Sequence, residues 1–184
     1  MMSAHQSVAV QFHLRPARAE DESFRYRLFV ETAAEEFMAI VGDANLLQMQ
    51  YRARETNYAA IFPAAEEKII CLADGSPAGR LLVCEQPGRM RLIDIGLLKS
   101  QRGQGVGSAV VWSLQQECEA KGLPLELQVR QASPAARLYS RLGFTVTSQD
   151  AMYVQMTWQP TQQAARALYT AVNDAGLVYK RGEK

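Results

Sequence analysis

Residue types that build disulfides and metal sites are scarce in this sequence. Its 184 residues include 3 cysteines and 2 histidines. Cys71, Cys84 and Cys118 are odd in number and widely spaced, which favours reduced core thiols over disulfides or zinc ligands. His5 and His13 both lie near the N-terminus, so a Ser-His-Asp or Cys-His catalytic arrangement has little support. We therefore expect no metal site and a cytoplasmic protein.

Strong charge and long apolar runs are also missing. The formal net charge is +1, which argues against nucleic acid or an anionic membrane as a partner. No apolar run approaches the length of a membrane span, and residues 1–11 lack the apolar core of a secretory signal. With 48% hydrophobic and 21% charged residues, the composition is that of an ordinary globular protein. The length allows one domain with a sizeable core.

Glycine is concentrated in one short stretch, Arg102–Ser108, which reads RGQGVGS. The apolar segment Arg91–Leu98 before it predicts a buried strand. Apolar residues at helical spacing follow and predict a helix: Val106, Val110, Val111, Leu114 and Cys118. A glycine turn that leads into a helix offers unpaired N–H groups and the positive end of the helix dipole. The stretch therefore predicts an anion cradle, best suited to a diphosphate.

Two nucleotide motifs fail at this stretch. A dinucleotide fingerprint that begins at Gly103 requires a third glycine where Ser108 stands, and one that begins at Gly105 requires it at Val110. A P-loop requires a lysine directly after Gly107, and Ser108 stands there instead. From the residues alone, a diphosphate cradle and a plain strand-turn-helix junction are both left open.

The rest of the chain alternates between strand and helix patterns. Strands are predicted at about 8–14, 68–73, 78–86, 90–98, 125–130, 144–148 and 152–158. Helices are predicted at about 21–40, 43–54, 106–118 and 134–142, with an irregular connection over 58–63. The order predicts an α/β protein with a hairpin meander, a β-α-β crossover and a closing hairpin.

Two motifs in the correct order resemble the GNAT superfamily of acyl-CoA-dependent N-acyltransferases. Arg102-x-x-Gly105-x-Gly107 is similar to the family signature Q/R-x-x-G-x-G/A. The segment Ser133–Phe144 is similar to N-x-x-A-x-x-L-Y-x-x-x-G-F, although Ser133 replaces the common asparagine. The resemblance covers about residues 11–158, and residues 91–146 match best. A proline that is frequent after the fourth strand is Lys99 here.

The resemblance implies a fold, a domain division and an activity. The fold would be α/β (α+β), with a mixed sheet of about seven strands that splays between strands 4 and 5 and helices on both faces. A GNAT domain would span 11–158, and a helical extension and tail would span 159–184. The activity would be acetyl transfer from acetyl-CoA to a primary amine by direct attack in a ternary complex. A non-catalytic acyl-CoA-binding module is the alternative.

The resemblance also assigns coenzyme A binding to particular residues. In the family, turn amides hold the pyrophosphate and the fourth strand hydrogen-bonds the pantetheine arm through its backbone. Carried over by position, the binding residues are Leu97, Leu98, Arg102, Gly103, Gln104, Gly105, Val106, Gly107, Ser108, Ser133 and Ala136. No metal is implied.

Catalytic roles are expected for two residues. Tyr139 matches the family tyrosine that protonates the departing thiolate. Asp94 is a charge inside an apolar strand, and burying a carboxylate is costly unless it is paired or used. It is therefore a candidate general base, and a structural ion pair with Arg91 or Arg80 is an equal alternative.

Acceptor and assembly stay open at this level. Glu31, Glu35 and Glu36 favour a solvated helix face, with attraction of a cationic acceptor as the alternative. A short apolar stripe (Ala165, Leu168, Val172) predicts a C-terminal helix packed on the domain. A homodimer contact or a lid is the alternative role for that helix. The acceptor is expected to be the amine of a small molecule or a peptide.

Overall fold

The computed structural model describes residues 11–36 and 43–161 of the chain. Seven strands and four helices are present among these residues. The strands are β1 Phe12–Pro16, β2 Glu66–Leu72, β3 Pro77–Gln86, β4 Arg89–Leu97, β5 Leu125–Arg130, β6 Thr145–Gln149 and β7 Tyr153–Trp158. The helices are α1 Glu22–Glu36, α2 Ala44–Ile61, α3 Val106–Lys121 and α4 Ala135–Arg141. The predicted α/β class and the order of elements are confirmed.

The strands form one open, mixed sheet in the order β1-β2-β3-β4-β5-β7-β6. β2 pairs antiparallel with β1 and with β3, so that Ile69 lies opposite both Arg15 and Arg80. β7 pairs antiparallel with β5 and with β6. The expected opening between the fourth and fifth strands stays a prediction.

By its internal contacts the chain divides into two compact units. Among the described residues, the first comprises 11–36, 43–85 and 92–110, and the second comprises 86–91 and 111–161. The division into a domain at 11–158 and an extension at 159–184 therefore stays a prediction. The predicted C-terminal helix lies outside the described residues, as do positions 37–40 of the first predicted helix.

The first unit is built around α1 and the strands that it covers. Phe24 and Leu28 stand one helical turn apart on α1, and both are buried with Ile69 and Cys71 of β2. Leu98, at the end of β4, packs against the same cluster. The helix therefore shields this face of the sheet from water, and burying each large apolar side chain stabilises the unit by about 1.5–3 kcal/mol.

Helix α2 begins as predicted but ends later. Asp43 caps it by accepting hydrogen bonds from the N–H groups of Asn45 and Leu46 at 2.9 and 3.1 Å. The predicted irregular connection at 58–63 is wrong, because the helix continues to Ile61. No glycine or proline interrupts residues 44–62, and the added residues include the good helix formers Glu55, Ala59 and Ala60. The extension places Tyr58 on a helix instead of in a loop.

Strands β3 and β4 approach unusually closely at Gly79. A Cβ atom added there would lie 2.3 Å from the Gly96 carbonyl oxygen and 2.6 Å from Leu97 Cδ2. Leu98 N–H donates to the Ala78 carbonyl at 3.0 Å, which fixes the register of this strand pair. Glycine is therefore required at position 79 by space.

In the second unit, β5 has the predicted alternation. Leu125, Leu127 and Val129 are buried, and they face the core with Met156 of β7. Cys118 and Leu114 of α3 are also buried, as their helical spacing predicts. The apolar faces of the helix and the strands thus supply the core of this unit.

The end of α4 is fixed by a glycine. Gly143 has a φ of 86°, a conformation that glycine adopts without steric cost. Its N–H donates to the Ser140 carbonyl at 3.1 Å, and Phe144 N–H donates to the Tyr139 carbonyl at 3.0 Å. This pair of bonds is a Schellman motif. The Gly-Phe pair of the sequence motif therefore terminates the helix that carries Tyr139.

Two classes of feature are not found in the described part of the chain. Within residues 11–36 and 43–161, no helix combines the length and the apolar character needed to cross a membrane. The same residues contain no group of three or more His, Cys, Asp or Glu side chains arranged to hold a metal ion. Cys71, Cys84 and Cys118 are all buried free thiols.

Candidate active site

The glycine-rich stretch forms a turn that leads directly into α3. Gly103 and Gly105 have φ angles of 73° and 85°, which side chains with a Cβ disfavour. The Gly105 carbonyl accepts the first helical hydrogen bond, from Ala109 N–H at 2.9 Å. The predicted strand, glycine turn and helix start are thus all present.

The start of α3 presents unpaired backbone donors. No described residue accepts a hydrogen bond from the N–H groups of Val106, Gly107 or Ser108, the first three residues of the helix. Such groups carry partial positive charge and point out along the helix axis. At Gly107, an added Cβ would lie 3.5 Å from Leu97 Cδ1, an ordinary van der Waals contact, so a side chain could be added here without a clash. The arrangement fits the oxygens of a diphosphate.

Two side chains of the loop stabilise it through hydrogen bonds to backbone carbonyl groups. Arg102 Nε donates to the Leu97 carbonyl at 2.9 Å, and Gln104 Nε2 donates to the Ser100 carbonyl at 2.6 Å. The Arg102 side chain therefore ties the loop to the end of β4. The contribution of Arg102 and Gln104 to an anion site would come from their backbone.

A hydrogen bond from the loop to α1 also stabilises it. Glu31 accepts a hydrogen bond from Lys99 N–H at 3.0 Å, across 68 positions of sequence. Lys99 begins a short 3-10 turn, Lys99–Gln101, whose first N–H groups have no partner inside the turn. Glu31 thus caps this turn. Glu31 was expected only to face solvent on the surface of α1, and it also makes this contact. The side chains of Glu35 and Glu36 lie outside the described residues.

The backbone of Leu98 is already engaged. Its N–H donates to Ala78, and its carbonyl accepts from Gln101 N–H at 2.9 Å. The Leu97 carbonyl accepts from Arg102. A pantetheine contact at Leu98 would therefore use the second lone pair of its carbonyl.

Asp94 is a half-buried carboxylate in β4 without a partner in direct contact. Among the described residues it makes no hydrogen bond and no ion pair, so the proposed ion pair with Arg91 or Arg80 is not formed. The pairing of Ala78 with Leu98 places Asp94 and Arg80 on the same face of the sheet. Arg80 is close enough for the charge of Asp94 to raise its pKa.

A chain of ion pairs runs beside Asp94, and we call it the ion-pair chain. It alternates carboxylates and guanidinium groups from α1 through β2 and β3 to α2. Its members, in order, are Glu22, Arg25, Glu67, Arg80, Glu55 and Arg54, with closest N–O distances of 2.6, 2.7, 2.8, 2.6 and 3.5 Å. As many carboxylates as guanidinium groups take part, so the chain as a whole is neutral.

Arg80 is the centre of the ion-pair chain. Its side chain is 3% exposed, and its two terminal nitrogens donate hydrogen bonds to the two Glu55 carboxylate oxygens at 2.6 and 2.9 Å. Burial opposes its charge, but the bonds from Glu55 and the charges of Asp94 and Glu67 raise the pKa of Arg80 above its usual value. Its positive charge is therefore balanced by these carboxylates.

Two tyrosines of α2 face the same region. Burial, and then the negative charge of Asp94, raise the pKa of Tyr58 to about 12. Burial and the charge of Glu55 raise the pKa of Tyr51 to about 12. The Tyr51 hydroxyl is buried without a hydrogen bond, and the Tyr58 hydroxyl makes none with a described residue. Both phenols therefore stay protonated at neutral pH.

Tyr139, Ser133 and Ala136 belong to the second unit. The Tyr139 ring is 7% exposed and meets the Phe144 ring edge to face, with centroids 5.6 Å apart. Ser133 Oγ accepts a hydrogen bond from Ala135 N–H at 3.2 Å. The N-cap of α4 is nevertheless Pro134 and not the predicted Ser133, so the helix begins one residue later than expected. Ala136 lines an open cavity of about 820 Å³ between α4 and the β6–β7 hairpin.

A comparison with known families now identifies the fold. Residues 19–144 match the sequence model of the acetyltransferase (GNAT) family, which is more than half of the chain. This chain belongs to the GNAT family. No curated protein matches it by sequence.

Solved GNAT structures share the fold at low sequence identity. A PaiA N-acetyltransferase from Thermoplasma acidophilum, solved with coenzyme A, has a TM-score of 0.63 at 14% identity; the match covers 81% of this chain and 99% of that one. A histone acetyltransferase HPA2 and related acetyltransferase from Corynebacterium glutamicum has a TM-score of 0.61 at 20% identity, with 82% and 97% covered. At these identities the likeness shows the fold alone.

A third structure of this kind carries an acceptor in its name. It is a spermidine N-acetyltransferase SpeG chimera from Vibrio cholerae and hSSAT, with a TM-score of 0.60 at 16% identity. The match covers 86% of this GNAT chain and 98% of that one. The likeness again concerns the fold.

Three residues near the candidate site are not foreseen from the sequence. The sequence predicts a loop at Tyr58 and no contact for Glu55 or Glu31. The spacing of Tyr51, Glu55 and Tyr58, at intervals of four and three, is the signal that marks one face of a helix. The contact between Glu31 and Lys99 has no sequence signal, because it depends on tertiary packing.

Proposed function

We propose that this protein transfers an acetyl group from acetyl-CoA to a primary amine by direct attack in a ternary complex. The observation that carries the proposal is the row of unpaired N–H groups at Val106, Gly107 and Ser108, behind two glycines with positive φ. These donors suit the pyrophosphate of coenzyme A. Membership of the GNAT family supports the transfer of an acyl group.

The chemistry requires two proton movements. An alkyl amine has a pKa of about 10.4, so it arrives as an ammonium ion and must lose a proton before it attacks. We assign this proton to Asp94, directly or through water, because its carboxylate has no competing partner in contact. Acetyl-CoA supplies a thioester whose C–S bond breaks as the N–C bond forms.

The second proton goes to the leaving sulfur. We assign it to Tyr139, which matches the family acid and sits on a helix whose end is fixed by Gly143 and Phe144. The products are an N-acetylated amine and coenzyme A as its thiol. The proton that the nitrogen loses as it is acylated replaces the one that Tyr139 donates. Holding both reactants together would lower the barrier mainly through proximity and orientation. We also place the protein in the cytoplasm, which its buried free thiols favour.

The test of donor binding uses a pair of variants at one position. Gly107→Glu places a carboxylate at the N-terminus of α3, where it favours the helix but repels a diphosphate. Gly107→Gln adds similar bulk without charge. We expect titration calorimetry to show acetyl-CoA binding by the native protein, at least tenfold weaker binding by the Glu variant, and a smaller loss for Gln. A folded native protein that does not bind acetyl-CoA would refute the proposal.

Turnover is tested by release of free thiol from acetyl-CoA with a panel of amines. Tyr139→Phe keeps the ring against Phe144 and removes only the hydroxyl. Loss of a general acid typically costs 10²–10⁴-fold, so we expect kcat to fall about a hundredfold with little change in KM. Binding without turnover for any amine would instead support a non-catalytic acyl-CoA-binding module.

A further inference from the structure

Helix α3 carries a large aromatic side chain on its exposed side. Trp112 is 57% exposed, although Val111 and Leu114 of the same helix are buried. Gln116 and Glu119 follow Trp112 by one and two helical turns and share its side of the helix. We call Trp112, Gln116 and Glu119 the outer face of α3. A single exposed side chain does not by itself mark an interface, so a second observation is needed.

The described part of the chain ends on this same face. The N–H of Thr161, the last described residue, donates to Glu119 Oε2 at 2.9 Å, and the Thr161 hydroxyl donates to Glu119 Oε1. Because these bonds join residues 42 positions apart, they fix the place from which residues 162–184 continue. That place is two helical turns, or about 10 Å, along the axis of α3 from Trp112.

The sequence after Thr161 has the pattern of a helix with one apolar side. Ala165, Leu168 and Val172 recur at intervals of three and four residues, as one side of a helix requires. Thr161 is a favoured N-cap residue, and the Glu119 carboxylate beside it supplies the negative charge that favours a helix start. The predicted helix would therefore begin at the contact with α3, with an apolar stripe that needs a surface to cover it.

We propose that residues 162–175 dock as a helix on the outer face of α3, antiparallel to it, and cover Trp112. The direction follows from the point of attachment. Helix α3 ends at Lys121, directly after Glu119, so only the path back towards Trp112 offers more of its surface. The proposal concerns the chain's own C-terminal segment and does not depend on the acetyl-transfer reaction.

The register of the two helices follows from equal spacing on both sides of the contact. Leu168 comes seven residues after Thr161, and Trp112 comes seven residues before Glu119. At a rise of about 1.5 Å per residue, both lie about 10 Å from the Thr161–Glu119 contact. Leu168 should therefore pack against the Trp112 ring.

A second copy of this chain is the competing occupant of the outer face. The attachment at Glu119 favours the chain's own segment, because a tethered segment has an effective concentration on the order of millimolar. Docking within one molecule does not vary with protein concentration, whereas docking between copies does. This difference separates the two occupants in the experiments below.

Fluorescence of Trp112 in the full-length protein tests the docking. The sequence has 2 tryptophans, so Trp158→Phe leaves Trp112 as the sole indole. Leu168→Asp then places a charge in the apolar stripe, and Thr170→Asp places the same charge on the opposite side of the predicted helix. We expect acrylamide to quench Trp112 at least about twofold more strongly in Leu168→Asp than in its parent, and Thr170→Asp to match the parent. Equal quenching in all three proteins would overturn the proposal.

Cross-linking tests the register in a chain that keeps both tryptophans. Gln116→Cys combined with Ala165→Cys places two thiols opposite each other in the antiparallel arrangement. We expect a mild thiol oxidant to join them within one molecule, at a yield that does not change with protein concentration. Gln116→Cys combined with Thr170→Cys is the control and should stay reduced, and the three native cysteines are buried. Equal yields from both pairs, no link in the first pair, or links only between molecules would each contradict the proposal.

Discussion

Removing the Glu31 carboxylate should weaken the binding of acetyl-CoA without touching the cradle. Glu31 on α1 accepts a hydrogen bond from Lys99 N–H at 3.0 Å, and the capped 3-10 turn leads to Gly103 and Gly105. In Glu31→Ala the Lys99 N–H group can hydrogen-bond only to water, and the turn loses its contact with α1. The loop would then sample other conformations before the ligand binds.

The size of the effect follows from the energy of a cap. Loss of a capping side chain typically costs about 0.5–2 kcal/mol, and about 1 kcal/mol is reasonable for a contact open to solvent. If all of it stabilises the binding conformation of the loop, the competent fraction falls by at most about fivefold, and the apparent Kd rises by the same factor. We therefore expect a two- to fivefold rise in Kd for acetyl-CoA.

Calorimetry with acetyl-CoA provides the measurement, and urea unfolding confirms that the variant is folded. Glu31→Gln retains an acceptor oxygen and should lose less affinity than Glu31→Ala. Glu117→Gln removes an exposed carboxylate that pairs with Lys121, and it should leave the Kd unchanged. A native Kd in folded Glu31→Ala would show that the loop does not depend on α1.

Two further predictions concern stability. Gly79→Ala should lower the free energy of unfolding by about 2–3 kcal/mol, because the new Cβ would lie 2.3 Å from the Gly96 carbonyl oxygen. Asp21 is held by Arg15 at 2.7 Å, and the hydrogen bonds from this guanidinium lower its pKa from 3.8 to about 2. Its contribution, at most about 2.5 kcal/mol, is complete above the unfolded pKa and is lost as the pH falls towards 2. Asp21→Asn should therefore destabilise at pH 7 and should converge with the native protein in acid.

Urea unfolding tests both, each against a matched variant. At Gly96 an added Cβ would be 3.6 Å from Leu28, so Gly96→Ala should cost clearly less than Gly79→Ala. Equal costs would refute the steric argument. Glu20→Gln removes an exposed carboxylate 3.7 Å from Arg18 and should change stability little at any pH. A gap between Asp21→Asn and native protein that persists at pH 2 would refute the assigned pKa.

Local patterns predicted the glycine turn and the helix start correctly. The glycine turn and the start of α3 follow from Gly103, Gly105 and the apolar spacing after Val106, and all of this information lies within a few residues. The termination of α4 is also local, because Gly143 alone supplies the required backbone conformation. Short-range chemistry decides such features, so one sequence is enough to find them.

The surroundings of Asp94 could not be predicted in the same way. The apolar strand pattern points to Asp94, but the ion pair beside it joins Arg80 to Glu55, 25 positions away in the sequence. The error in α2 hid Tyr58, because the end of a helix without a glycine or proline stop has no clear local signal. Which charges neutralise each other is decided by packing, and the ion-pair chain was therefore invisible in the sequence.

The ion-pair chain also limits how this protein can change over generations. Arg80 is buried and touches both Glu55 and Glu67, so a charge-altering substitution of either carboxylate removes a partner from a buried guanidinium, which typically costs up to about 3–5 kcal/mol. That penalty is comparable to much of the stability of a small domain. A compensating second substitution is neutral only once the first is present. Mutational paths through Arg80 should therefore be epistatic.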